Sequence, residues 1–144
     1  MAKVKTSVLI DRPVGEVFSY VADPDQVAQW AGPVVESTKT SEGPVGVGTT
    51  STRVTQFLGR TIEATHEITE FDPDTVYADR TTSGPVPIHS RILFEAADGG
   101  TKVTIEGELQ AAGFFKIAEP VMLRVARRQV ETDAQNLKEI LEAK

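Results

Sequence analysis

Apolar and polar residues alternate through residues 3–10, a stretch rich in Val, Leu and Ile, and this period of two predicts a first β-strand with one buried face. The period then changes. Val14, Val17, Phe18 and Val21 recur at helical spacing, which predicts a short amphipathic helix over 13–22. Asp11-Arg12-Pro13 opens that helix, Pro13 being suited to a first helical position. At Asp23-Pro24-Asp25-Gln26 the chain restarts: Asp23 can cap, Pro24 takes the first position, and Gln26 sits where a capping-box partner belongs. This second helix is brief and ends near Trp30-Ala31-Gly32-Pro33.

From residue 34 to 109 Val, Thr and Ile dominate, with turn signals at Gly43-Pro44, Leu58-Gly59, Asp72-Pro73-Asp74, Ser83-Gly84-Pro85 and Asp98-Gly99-Gly100. Turns roughly a dozen residues apart describe successive antiparallel strands, not a parallel βαβ array. Six strands are expected, at 34–39, 47–57, 60–71, 75–83, 86–96 and 101–110. The tail from Gly113 to Leu141 is one long helical pattern, which Pro120 should kink or start afresh. Phe114, Ile117, Ala118, Val121 and Val125 share one stripe, and Val130, Ala134, Leu137 and Leu141 form a second on another face of the helix. Such drift suits a helix resting on more than one surface. With no repeat, low-complexity tract or linker, residues 1–144 read as a single domain.

Strand parity assigns the inward face. In 60–69, Ile62, Ala64, His66 and Ile68 alternate with Glu63, Thr65, Glu67 and Thr69, so the even set faces inward. A two-residue turn at Leu58-Gly59 pairs Phe57 with Arg60, which brings Thr55, Arg53 and Ser51 to the face of His66. Val103, Ile105, Gly107 and Leu109 face in, as do Val86, Ile88, Ser90, Ile92 and Phe94, leaving His89 and Arg91 outside. Hydropathy leaves 75–83 ambiguous. Pairing through the flanking turns favours Tyr77, Asp79, Thr81 and Ser83 inward, opposite Glu70, Ile68 and His66, with Asp79 across from Ser90. Arg53, His66, Asp79 and Ser90 thus share a face that is otherwise apolar. Titratable groups there are costly unless paired or wet. The patch therefore either borders a ligand cavity or forms a structural network. The only tryptophan, Trp30, either anchors the core or borders the cavity mouth, and Phe57, Tyr77, Phe94, Phe114 and Phe115 carry the same alternatives.

Composition narrows the function classes. The chain is 40% apolar and 25% charged, ordinary for a soluble globular protein. A net charge of −6, with no basic run beyond Arg124, Arg127 and Arg128, argues against nucleic acid or an anionic membrane as partner. Those arginines read as a solvated helix face. Cysteine is absent, which excludes disulfides, thiol chemistry and cysteine-ligated zinc. The start, Met1-Ala2-Lys3-Val4-Lys5, lacks a signal-peptide apolar stretch and no later run could span a bilayer, so a cytoplasmic location is expected. His66 and His89 point to opposite faces, so no metal site is expected. Gly43-Pro44-Val45-Gly46-Val47-Gly48 opens a strand rather than a helix and is no phosphate loop.

The order strand, two short helices, six strands, long helix resembles the helix-grip fold of the START-like superfamily, also called SRPBCC or polyketide-cyclase-like. The resemblance spans nearly the whole chain. It is carried by Asp11-Arg12-Pro13-Val14-Gly15-Glu16-Val17-Phe18, by Asp23-Pro24 leading to Trp30, by Gly46-Val47-Gly48-Thr49, by Leu58-Gly59-Arg60, by Arg80-Thr81-Thr82-Ser83-Gly84-Pro85 and by the helix containing Ala126-Arg127-Arg128. These are fold markers, not a catalytic signature. The resemblance implies an α+β fold: a seven-stranded curved antiparallel sheet around a long C-terminal helix, with two short helices after the first strand and a cavity between sheet and helix.

Within that frame the leading expectation is binding of a small hydrophobic ligand, such as a polyketide-like aromatic, a lipid or an isoprenoid, without a cofactor. The expected ligand contacts are Arg53, Phe57, His66, Tyr77, Asp79, Thr81, Ser90, Ile92, Val121 and Val125. Arg53 would meet a carboxylate, phenolate or carbonyl oxygen, His66 and Asp79 would orient a polar head, and Ser90 and Thr81 would add hydrogen bonds. The second reading is a polyketide aromatase or cyclase, with Arg53 stabilising an enolate, His66 as base and Tyr77 or Ser90 as proton donor. At 6% aromatic residues the chain lacks most of the pocket aromatics of relatives with that activity. A third is a protein-interaction module without ligand. The expected assembly is a monomer or weak homodimer.

Overall fold

The computed structural model describes residues 2–57, 59–84, 87–109 and 119–144. Seven strands, β1 (Ala2–Ile10), β2 (Val34–Lys39), β3 (Thr50–Phe57), β4 (Arg60–Asp72), β5 (Val76–Ser83), β6 (Ile88–Ala97) and β7 (Gly100–Leu109), form one sheet. Its order is β1-β7-β6-β5-β4-β3-β2, every neighbour antiparallel. Consecutive strands from β2 to β7 are therefore hairpin neighbours, and only β1 reaches its partner β7 from the far end of the sequence. The segment that makes this crossing carries the helices α1 (Val14–Val21) and α2 (Val27–Trp30), with a 3-10 turn at Pro24–Gln26 between them. The long helix α3 (Glu119–Glu142) lies against β1 and α2.

Local chemistry accounts for the corners. Pro13 stands at the N-cap of α1, one residue before the helix proper. The Asp23 carboxylate accepts from the Asp25 N–H at 3.0 Å and caps the 3-10 turn, as its side chain predicts. The Gln26 backbone N–H bonds the Asp23 carbonyl, so the described corner closes through backbone rather than through a reciprocal capping box. β3 begins at Thr50 rather than 47, because Gly46 and Thr49 close a turn of their own: the Thr49 N–H bonds the Gly46 carbonyl at 3.1 Å and the Thr49 hydroxyl accepts the Gly46 N–H at 2.9 Å.

The core divides along α3. Toward its C-terminal end Ala134, Leu137 and Leu141 are buried with Val17, Phe18, Val21, Trp30, Phe94 and Val103. Phe18 meets Phe71 and Phe94 edge-on at 5.2 and 5.0 Å between ring centres. Toward its other end a smaller cluster joins Val4, Leu109 and Ala126. One expectation is corrected here. Val121 and Val125 are 53% and 36% exposed, so the inward face of α3 runs through Ala126, Val130, Ala134, Leu137 and Leu141 instead. Two stripes on one helix cannot both face the same wall, and the second one won. The remaining first-stripe residues, Phe114, Ile117 and Ala118, together with Phe115, lie outside the described residues, as do Val86 and the side chain of Phe57. Arg124, Arg127 and Arg128 are exposed, as a solvated face requires.

Candidate functional site

Four neighbouring strands, β3 to β6, carry the polar residues inward. Ser51 pairs His66 and Arg53 pairs Ala64, so Arg53 sits diagonally from His66 across β3 and β4. On the other flank His66 pairs Thr81 and Ile68 pairs Asp79, while Asp79 faces Ser90 on β6. The expected register of β5 thus holds from Asp79 to Thr81. It slips by one residue beyond, because a bulge between Ile68 and Glu70 sets Glu70 against Ala78 and Phe71 against Tyr77.

Arg53, Tyr77 and Asp79 form a closed network on one carboxylate oxygen. Arg53 Nη2 donates to Asp79 Oδ2 at 2.7 Å and Tyr77 Oη donates to the same oxygen at 2.6 Å. A longer contact of 3.4 Å runs from Arg53 Nη2 to the Tyr77 hydroxyl. The two charged side chains are 12% and 3% exposed. Burial opposes the charge of each, and mutual attraction outweighs it: the Asp79 carboxyl is held below the usual carboxylate range and the Arg53 guanidinium above its ordinary value. Tyr77 is pushed up by burial and by the Asp79 charge. Burial, with Arg53 adding to it and Asp79 opposing, lowers His66 to about 4, so its imidazole is neutral at pH 7. Three buried atoms of this group, Arg53 Nε, His66 Nδ1 and Asp79 Oδ1, have no hydrogen-bond partner among the described residues.

Between this wall and α3 lies a cavity of about 240 Å³. Its apolar lining comes from Val4, Ile62, Ile88, Leu109, Ala126 and Val130, and the corner after α2 closes one side with Ala31, Pro33 and Val34. Of the residues expected to meet a ligand, Arg53, His66, Thr81 and Ser90 border the cavity. Tyr77 and Asp79 stand behind Arg53 and hold it, Ile92 belongs to the buried core, and Val121 and Val125 face away. Trp30 is a core anchor; its neighbours Ala31 and Pro33 reach the cavity.

Sequence reasoning passed over the opposite wall. Asp133 and Gln129 of α3 also border the cavity. Asp133 Oδ1 accepts the Gly32 N–H at 2.9 Å and Gln129 Nε2 at 2.8 Å. Burial raises its pKa, with those two hydrogen bonds opposing. At 100° per residue position 133 lies about 40° beyond Leu137, at the margin of the arc of Val130, Ala134 and Leu137, so the available signal was a carboxylate flanking an apolar arc. Among the described residues no group of His and acidic side chains could hold a metal ion, and no helix is long and apolar enough to cross a membrane.

Solved structures share this architecture along nearly their whole length. Protein TTHA0849 of Thermus thermophilus is similar with a TM-score of 0.83 at 17% identity, over 95% of this chain and 94% of that one. The Zhui aromatase/cyclase of Streptomyces sp. R1128 gives 0.77 at 19%, over 97% and 93%. A START superfamily protein of Mycobacterium smegmatis gives 0.74 at 11%, over 99% and 96%. At such identities the likeness concerns the fold. No curated protein matches the sequence. The family model described as polyketide cyclase / dehydrase and lipid transport matches residues 1–142, and the chain belongs to that family.

Proposed function

We propose that the protein binds a small, mostly apolar molecule carrying a polar group, held between the sheet and α3. The observation that carries this reading is the cavity itself, with an apolar lining interrupted by Arg53, His66, Thr81 and Ser90 on one wall and Gln129 and Asp133 on the other. Mixed walls of this kind are the usual make-up of ligand pockets. A volume of about 240 Å³ lies just below the common range for drug-sized ligands, so the guest is compact, of one or two rings rather than a long chain. Arg53, His66, Thr81 and Ser90 contact it, while Tyr77 and Asp79 position Arg53.

The aromatase or cyclase reading draws on the same wall, since Arg53 and His66 both border the cavity. Two observations favour binding over that chemistry. The Arg53 Nη2 atom is engaged by Asp79, and an imidazole whose conjugate acid titrates at about 4 is a weak base at neutral pH. A collapsed interior would favour the interaction-module reading, and the cavity counts against it.

The test is titration with naphthalene-based ligands. With about twelve non-hydrogen atoms at roughly 0.5 kcal/mol each, the expected dissociation constant is in the tens of micromolar. Ala126→Phe, which fills the cavity from α3, should abolish binding while the far-ultraviolet spectrum stays unchanged. Binding that survives Ala126→Phe would sink the proposal.

A further inference from the structure

We infer that the cavity prefers a ligand that presents a hydrogen-bond donor, a protonated amine above all, to Asp133, and disfavours a carboxylate. This deepens the proposed binding role and rests on it. The charges bordering the cavity settle the sign. Arg53 is neutralised at 2.7 Å by Asp79, so the strand wall is a dipolar pair without net charge. Glu106 and Glu108 line the cavity through β7 but direct their side chains to Lys5 and Lys3, at 4.0 and 3.5 Å. What remains is Asp133, 9% exposed, which forms no ion pair with any described residue. Both of its hydrogen bonds fall on Oδ1, so Oδ2 has no partner among the described residues.

A buried carboxylate without a counter-charge is a costly arrangement, and a guest that supplies a donor or a cation relieves it. A guest carboxylate would add a second negative charge in the same poorly solvated space. His66, neutral at pH 7, does not offset that repulsion. The geometry also separates recognition from scaffolding. The Gly32 and Gln129 bonds hold Asp133 Oδ1 in place, and a Cβ on Gly32 would stand 2.8 Å from Gln129 Nε2. Glycine at that corner lets the Gln129 amide reach Asp133 Oδ1 undisturbed, and the second oxygen is left for the guest.

Three ligands on one ring system distinguish the possibilities: 1-naphthylmethylamine, 1-naphthylmethanol and 1-naphthoate, titrated calorimetrically into the full chain at pH 7. The amine should bind at least about tenfold more tightly than the naphthoate, with the alcohol between them. Asp133→Asn keeps an oxygen for Gly32 and Gln129 and removes the charge. It should lower the amine-to-alcohol affinity ratio by about tenfold. Naphthoate binding as tightly as the amine, or an unchanged ratio in D133N, overturns the preference while leaving the cavity's binding role intact. Failure of all three ligands to bind overturns that role and the preference together. The wild-type ranking needs no variant, so it decides the matter even if D133N does not fold.

Discussion

Removing Asp79 should be among the most damaging single changes this fold can suffer. Asp79→Ala strips Arg53 of the carboxylate 2.7 Å away and Tyr77 of its 2.6 Å acceptor, leaving a guanidinium buried without its partner. Breaking a buried pair by deleting one member typically costs about 3–5 kcal/mol. Unfolding entropy of about 2.1 cal/mol/K per residue makes that equivalent to a fall in Tm of roughly 10–17 °C for a chain of this length. The pair as a whole is another matter. Exchanging both members for apolar residues, Arg53→Met with Asp79→Leu, should come out within about 1–2 kcal/mol of wild type, because the desolvation penalty vanishes with the charges. Urea denaturation of the two single variants and the double variant gives the coupling energy directly. If Asp79→Ala lost less than about 1 kcal/mol, or if the double variant were as unstable as the two singles combined, the network would not be the structural unit described here.

Three further outcomes follow from the same geometry. Above pH 6.5 His66 is neutral in folded and unfolded chains alike; as pH falls the unfolded imidazole protonates first and the folded one only near about 4, so stability declines across that window, by on the order of 3 kcal/mol. Denaturation curves between pH 7 and 4 should show this slope in wild type and lose it in His66→Gln, with a further decline at lower pH as the depressed Asp79 carboxylate takes its proton. Tyr77→Phe removes one hydrogen bond to a buried carboxylate and should cost about 1.5–3 kcal/mol in urea denaturation, with the fold retained. Gly32→Ala displaces the flexible end of Gln129 rather than backbone, so the loss should be modest, about 1 kcal/mol, and visible as a shifted Gln129 side-chain amide resonance.

Much of this architecture is legible in the residues themselves. Alternation in 60–69 identifies His66 as inward without any knowledge of its neighbours, and the Leu58-Gly59 turn then carries Arg53 to the same face, where the Phe57–Arg60 pair confirms the register. Asp79 opposite Ile68 and Ser90 was also accessible, because the flanking turns fix it. The bulge beyond Ile68 was not: the extra residue obeys no hydropathic period, and so Tyr77 opposes Phe71 where Glu70 was expected. Helical stripes gave less. Periodicity finds that Val121–Val125 and Val130–Leu141 are two faces but is silent on which one the sheet covers, and the exposed valines follow from that ambiguity. Nor does periodicity find a clasp such as Gly32–Asp133, whose partners lie about a hundred residues apart and meet only when α3 settles against the corner after α2.

The occupied cavity can be located residue by residue. Amide and side-chain NMR shifts recorded while 1-naphthylmethanol is added should move at Arg53, His66, Thr81, Ser90, Ala126 and Gln129 along one saturating curve, with the outer-face residues Lys3, Lys5 and Arg91 still. Shifts confined to that outer face, or none at all at millimolar ligand, would contradict a binding site between the sheet and the last helix.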